Sequence, residues 1–281
     1  MLTEQARAKV NLTLRVLGRR PDGYHDLGSV VVFADVGDRL QLTPGPELSL
    51  SVRGRTAAAA GADADNLVLK AARVLAAQIP GLRTGAFELE KELPVAAGLG
   101  GGSADAAAAL RLLVQLNGLS LEDPRVQAAA KATGADVPVC LTSRPRIMRG
   151  IGDVLSDPLT IAPLPAVLIN PGVAVPTKDV FARLRLTHAR EAAHLPEPPD
   201  ALLAAVQNEP NDLESPACAL QPVIADVLTA IRDSAGCKLA RMSGSGATCF
   251  GIFDTPRLAE AAAGKLAGAH SKWWVCATTL R

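Results

Sequence analysis

Aromatic side chains are scarce in this 281-residue chain: one tyrosine, two tryptophans and five phenylalanines, 3% in all. A core so poor in large rings has to be filled by tightly packed, alanine-rich helices. An excess of one charge is missing too. Lysine and arginine number 29 against 28 aspartates and glutamates, a formal net charge of +1, which removes the strongest sign of a nucleic-acid partner. No apolar run reaches the roughly 18 residues that a membrane-spanning helix needs. Glu4, Arg7 and Lys9 interrupt the N-terminal stretch where a signal peptide would be unbroken and apolar. The five cysteines (Cys140, Cys218, Cys237, Cys249 and Cys276) are odd in number, widely spaced and without a CxxC pair, and the four histidines form no HExxH. That argues against a disulfide scaffold or a zinc site and for reduced thiols. The expectation is a cytoplasmic protein with no nucleic-acid or membrane partner.

What is present reads as globular: 48% hydrophobic residues with 20% charged. The length predicts about two domains. From Lys9, polar Lys9, Asn11, Thr13 and Arg15 alternate with Val10, Leu12, Leu14 and Val16, the period of a half-buried strand. The run Arg19-Arg20-Pro21-Asp22-Gly23 ends it in a turn. Strands are expected at 29–34, 39–43 and 48–52, in an antiparallel start, then a helix over 66–78 and a strand over 87–93. Helices follow from Ser103 to a cap at Asn117-Gly118 and over 124–133. Further on come a strand at 166–170, a helix at 226–234, and a strand, helix and strand at 248–253, 256–267 and 272–279. The charged, proline-rich stretch 183–199 reads as a loop. This order predicts an α+β fold with domains at 1–145 and 146–281.

The strongest chemical feature is the glycine-dense loop Pro94–Gly102 between a strand and a helix. Consecutive glycines let several amide N–H groups converge, and the helix behind adds its unpaired N–H groups and positive dipole end. That makes an anion cradle without a basic side chain; the competing reading is a flexible turn before a core helix. A Walker A loop would need a lysine where Gly102 stands, and GxGxxG starting at Gly98 fails at Ser103. Lys9 and Asn11 share one strand face. Tyr24, the only tyrosine, lies beside His25, as a stacking ring next to a hydrogen-bonding imidazole or as an ordinary surface turn. Asp136 sits among apolar residues in Gly134-Ala135-Asp136-Val137-Pro138. Ser243-Gly244-Ser245-Gly246 reads equally as a loop closing on a ligand or as a hairpin turn.

Pro94-Val95-Ala96-Ala97-Gly98-Leu99-Gly100-Gly101-Gly102-Ser103-Ala104-Asp105 resembles the phosphate-binding motif of the GHMP small-molecule kinases. Ala8–Leu12, Asp22–His25, Gly134–Pro138 and Met242–Gly246 extend the likeness over nearly the whole chain, toward a branch with a cytidyl-bearing acceptor. The resemblance implies a two-domain fold, a ribosomal protein S5 domain 2-like N-terminal domain followed by a ferredoxin-like C-terminal one. It implies transfer of the γ-phosphoryl group of ATP, with Mg²⁺, to a hydroxyl of a small molecule. Carried over by motif, Asp136 would be the base and Lys9 would orient and polarise the reacting groups. ATP would meet Asn66, Lys91 and the run Pro94, Val95, Ala96, Ala97, Gly98, Leu99, Gly100, Gly101, Gly102, Ser103 and Ala104. Tyr24 and His25 would hold the cytosine with Phe181 as the opposite stacking face, and Asn11 and Thr177 would contact the acceptor's phosphate side. No side chain is assigned to the metal, and a monomer or weak homodimer is expected. One segment departs from the pattern: Ser143-Arg144-Pro145-Arg146-Ile147-Met148 stands where small residues should approach Gly150-Ile151-Gly152. Two other classes are a GHMP kinase of homoserine or mevalonate type, against which Tyr24-His25 argues, and a non-catalytic ligand sensor, against which Lys9 and Asp136 argue.

Overall fold

The alternating run from Lys9 to Val16 is not one strand: it covers the end of one strand, a break at residues 12–14 and the start of a second, and it is more deeply buried than its pattern implies. The computed structural model describes residues 1–59, 66–184 and 202–281. It opens with β1 (Leu2–Asn11), β2 (Arg15–Arg19), β3 (His25–Gly45) and β4 (Ser49–Arg53). Where β1 ends, Ala8, Val10 and Leu12 are buried, and so are Lys9, Asn11 and Thr13 on the supposedly wet face. A lysine without access to water needs a partner, which is the first structural sign that Lys9 is more than a solvated strand residue. The strands expected at 29–34 and 39–43 are one. Gly37 interrupts the apolar run not as a turn but as a close approach, since a Cβ there would lie 2.2 Å from the Ala6 carbonyl oxygen.

Next come α1 (Leu67–Gln78), β5 (Thr84–Glu90), α2 (Gly101–Asn117), α3 (Pro124–Thr133) and α4 (Val137–Thr142). Asn66 caps α1 by accepting from the Val68 amide, Asp123 caps α3 with Pro124 behind it, and Gly118 closes α2 in the left-handed conformation. The chain continues through β6 (Arg146–Gly150), β7 (Val154–Leu155), β8 (Leu164–Asn170) and α5 (Thr177–Arg183). It ends with α6 (Leu202–Asn208), α7 (Glu214–Leu220), α8 (Val223–Arg232), β9 (Cys237–Met242), β10 (Cys249–Phe253), α9 (Pro256–Ala269) and β11 (Trp274–Leu280). Of the loop expected over 183–199, residues from 185 onward lie outside the described residues.

The chain divides into two compact units. The first comprises Met1–Lys9, Val36–Val95 and Gly100–Ser143. In it the second half of β3 runs antiparallel to β5, Arg39 facing Glu90 and Gly45 facing Thr84, while β4 runs parallel to β5. β4 runs opposite to β3, as the antiparallel start implies, but does not pair with it: β5 lies between them, returned parallel to β4 by the α1 crossover. Helices α1 to α4 pack on one another, and in α2 the run Ala106–Ala109 is wholly buried. Small side chains let those helices approach closely, as the shortage of aromatics required.

The second unit comprises Val10–Asp35, Ala96–Leu99 and Arg144–Arg281. There β8 lies between β10 and β11, antiparallel to both, with β9 on the far side of β10. Ile224, Val227 and Ile231 of α8 and Ala259, Ala262 and Leu266 of α9 pack on Val167 and Ile169 of that sheet. The atypical segment after Leu141 supplies β6, whose Met148 pairs with Ser29 of β3. Both units mix strands and helices, as the α+β expectation required.

Candidate active site

The loop that carries the phosphate-cradle expectation has two kinds of glycine. Gly98 and Gly100 hold positive φ angles of 76° and 61°, and Ala96 does so at 51°. Gly101 and Gly102 do not, because they already belong to α2, which starts two residues earlier than its sequence suggests. Gly100 occupies the N-cap position with no side-chain cap, so the amides of Gly101, Gly102 and Ser103 emerge at the positive end of a 17-residue helix. The first intrahelical bond is Ala104 N–H to Gly100 O at 2.8 Å. An anion is the natural partner for the amides ahead of it.

Directly against this turn lies Lys9. A Cβ at Gly100 would come within 3.1 Å of Lys9 Cε. Lys9 Nζ in turn donates to Asp136 Oδ2 at 2.8 Å. The Lys9 side chain is 5% exposed and that of Asp136 33%, so the ammonium is fixed while the carboxylate faces solvent. Arg111 of α2 holds the two supporting elements in register: it donates to Glu4 on β1 and to the Cys140 carbonyl on α4. Asp136 itself begins α4, a helix its Val-Pro-Val sequence does not announce, without spending its carboxylate on the cap. Burial, reinforced by Asp136, pushes the neighbouring Cys140 thiol up to about 12, so it stays protonated and inert.

Beneath the loop lies a buried charged cluster. Lys91 Nζ donates to Asp38 at 2.5 Å and to Asp105 at 2.8 Å, and a Cβ at Gly101 would lie 3.5 Å from that nitrogen. Asp38 also accepts the amides of Glu92 and Leu93. Burial alone would lower the Lys91 pKa, but Asp105 and then Asp38 outweigh it and the net shift is upward. Burial pushes the Asp105 carboxyl up to about 7, with Lys91 opposing and Asp38 adding to the rise. Sequence reasoning missed both carboxylates. A signal was there for each: Asp38 shares its buried strand register with Leu40 and Leu42, and Asp105 stands inside the quoted glycine motif beside the buried alanines of α2.

In the second unit, His25 stacks on Phe181 with ring centroids 4.6 Å apart and an interplanar angle of 21°. Tyr24 is 62% exposed, and among the described residues the ring on Phe181 is that of His25 rather than Tyr24. Partial burial, then Arg19, lowers the His25 pKa below its usual value. Asn11 donates from Nδ2 to Ser29 Oγ at 2.7 Å, while its buried Oδ1 has no hydrogen-bond partner. Thr177 Oγ1 and Ser245 Oγ lie 2.8 Å apart. The Ser243–Gly246 segment is the turn between antiparallel β9 and β10, and it also touches Gly98, so the hairpin reading is met without exhausting its role. Of the other residues assigned to ATP, Asn66 caps α1, Val95 is exposed, and Ala97 and Leu99 are buried.

The family model for the N-terminal domain of GHMP kinases matches residues 66–144, and that for the C-terminal domain matches residues 197–272. A relative in a Bradyrhizobium species named 4-diphosphocytidyl-2-C-methyl-D-erythritol kinase is 58% identical over 99% of this chain and 96% of its own length. One of the same name in Methylorubrum extorquens is 57% identical over 100% and 99%. A crystal structure of 4-(cytidine 5'-diphospho)-2C-methyl-D-erythritol kinase superposes with a TM-score of 0.79 at 35% identity, covering 99% of both chains. A homoserine kinase from Cytophaga hutchinsonii superposes at 0.69 with 20% identity over 98% of this chain and 93% of its own, a likeness of fold alone.

Proposed function

The chain belongs to the GHMP kinases, in their 4-diphosphocytidyl-2-C-methyl-D-erythritol kinase family, and from that premise we propose that it phosphorylates 4-diphosphocytidyl-2-C-methyl-D-erythritol. The γ-phosphoryl group of ATP goes to the 2-hydroxyl of the erythritol moiety, giving the 2-phosphate and ADP, in non-mevalonate isoprenoid precursor biosynthesis. One observation carries the chemistry: the Lys9–Asp136 pair lies against Gly100, the residue that turns the glycine loop into α2.

Phosphoryl transfer asks a protein mainly for alignment and for charge facing the transferred group. The amides of Gly101, Gly102 and Ser103 receive the triphosphate, and Pro94 to Ala104 as a whole shape its seat. Asp136 takes the proton of the attacking hydroxyl, its exposed face open to the acceptor. Lys9 holds that carboxylate and offers positive charge to the group in flight. Asn66 and Lys91 support the nucleotide site from α1 and from beneath the loop. Cytosine stacks between Tyr24 and Phe181, taking the place His25 occupies on Phe181. His25, neutral at neutral pH, then offers one donor and one acceptor to the base edge. Asn11 and Thr177 meet the acceptor's phosphate side.

Mg²⁺ fits as an ion carried by the nucleotide. Among the described residues no group of three or more His, Cys, Asp or Glu side chains could cage a metal, and Mg²⁺ is commonly held by substrate phosphates, waters and one or two carboxylates. When bound, the ion supplies neutralisation of phosphate charge. The reading includes small-molecule partners only, a cytoplasmic location, a monomer or weak homodimer, and a domain division at about residue 145, between the two matched family segments. No helix among the described residues is long and apolar enough to cross a membrane. An ADP-release assay against the cytidyl substrate, homoserine, mevalonate and galactose tests the reading. Turnover with the cytidyl substrate is expected; turnover confined to another acceptor overturns it.

A further inference from the structure

Asn211 is buried, belongs to neither loop of the site, and has every hydrogen-bonding group of its side chain engaged. Its Nδ2 donates to the carbonyls of Met242 and Gly244, each at 2.8 Å, and its Oδ1 accepts from the Leu213 amide at 2.9 Å. Its backbone is anchored too, in a bridge beside Leu14 with Asp212 N–H donating to Leu14 O at 2.8 Å. Glu214, three residues on, accepts the Met242 amide at 2.9 Å. These two side chains therefore grip the start of the Ser243–Gly246 turn from one side.

The other side of that turn holds the first part of the glycine loop. Ser243 Oγ accepts from the Asn11 amide at 3.1 Å and donates to Gly98 O at 2.8 Å. Thr248 N–H donates to Ala97 O at 3.1 Å. The backbones touch: a Cβ on Gly98 would fall 2.3 Å from Ser243 O, and one on Gly244 would fall 3.1 Å from Gly98 O. The path from the Asn211 amide to the Gly98 carbonyl is thus an unbroken series of hydrogen bonds and backbone contacts, and the two side chains in it, Asn211 and Ser243, are buried.

We propose that Asn211 is a positioning residue for phosphoryl transfer: by clamping the Met242 and Gly244 carbonyls it fixes Ser243 against Gly98, and so sets the 96–99 segment of the triphosphate loop. The residue type follows from the contacts. Two carbonyls need two donors from one nitrogen, and the Leu213 amide needs an acceptor beside it, which among short side chains only asparagine supplies. Aspartate would turn a lone pair toward each carbonyl. This inference rests on the triphosphate role of the loop proposed above.

The test is the affinity of ADP, measured by calorimetry on folded protein, for the wild type, Asn211→Ala, Ser243→Ala and the double variant. Buried carbonyls left without donors predict a roughly tenfold loss in ADP affinity for each single variant. The double variant should lose little more than either single one, because both break one path. A residue that only stabilises the fold would shift the melting temperature and leave ADP affinity per folded molecule unchanged. Wild-type affinity in folded Asn211→Ala overturns the proposal. Should that variant fail to fold, Ser243→Ala decides, since it leaves the clamp in place and removes the hydroxyl's bonds to the Gly98 carbonyl and the Asn11 amide; unchanged affinity there overturns the proposal as well. Failure of the wild type to bind ADP at all overturns the functional reading instead, so the two failures are distinguishable.

Discussion

At the scale of single residues, the two most informative positions are the ones with the strongest bland readings. A lysine near a strand end is ordinarily solvated, yet Lys9 is buried and bound to Asp136. A tyrosine in a turn is ordinarily a surface residue, and Tyr24 does sit exposed, held through its backbone, where its amide donates to Asp22 Oδ1 at 3.0 Å. An exposed ring with no packing duty can be removed without harming the fold. Tyr24→Ala should therefore weaken binding of the cytidyl substrate by about 1–3 kcal/mol, the scale of one base-stacking platform. Melting temperature and ATP affinity should stay as in the wild type, which calorimetry and thermal unfolding will check. Equal weakening of both ligands would make Tyr24 a structural residue.

At the scale of elements, the glycine loop separates conformational need from mere smallness. Gly100 lies in the left-handed region, where a side chain costs about 1–2 kcal/mol, and its Cβ would press on Lys9. Gly101 has neither constraint, and its Cβ would meet Lys91, Asp38 and Leu93 at ordinary contact distances. Gly100→Ala should weaken ATP binding about tenfold, the effect of about 1.4 kcal/mol, while Gly101→Ala stays within about twofold of the wild type. Equal losses at both positions, in nucleotide titrations, would refute the distinction.

The buried cluster below the loop makes a second prediction at this scale. Asp105 titrates near 3.8 in the unfolded chain and near 7 when folded. The folded state therefore binds the extra proton between those values, so this group's contribution to stability is fully present below about pH 4 and lost as the pH rises through about 7. Asp105→Asn removes the titration while keeping the shape. The wild type minus variant difference in urea midpoint should fall between pH 5 and pH 8; a difference constant across that window would contradict the assignment.

Legibility in the sequence followed the locality of the interaction. The helices α1 and α3 carry their caps and stops within a few residues, Asn66 and Asp123 at one end and Gly134 at the end of α3, and their bounds read off closely. The single β3 was not legible, because Gly37 answers to Ala6 thirty-one positions earlier rather than to its own neighbours. The helix α4 hid behind a β-branched, proline-containing sequence, and β9 behind Lys238 and Arg241, the latter buried while donating to the Leu12 and Val206 carbonyls. In the site, the motif residues could be named from sequence, but their supports could not: Asp38, Asp105, Arg111 and Asn211 act through partners distant in the chain.

For the molecule as a whole, these parts make one claim: a nucleotide loop, a fixed lysine and a half-open carboxylate are assembled to move a phosphoryl group to a cytidyl-bearing alcohol. Asp136 is where that claim is most exposed, because asparagine there keeps the shape and removes only the ability to take a proton. The decisive measurement follows formation of the 2-phosphate and ADP by phosphorus NMR, for the wild type and Asp136→Asn, with binding of both substrates checked by calorimetry. The account predicts one ADP per product in the wild type and a rate about 10²–10⁴-fold lower in the variant, the usual contribution of general-base catalysis, with both affinities retained. A variant that turns over at the wild-type rate would contradict it.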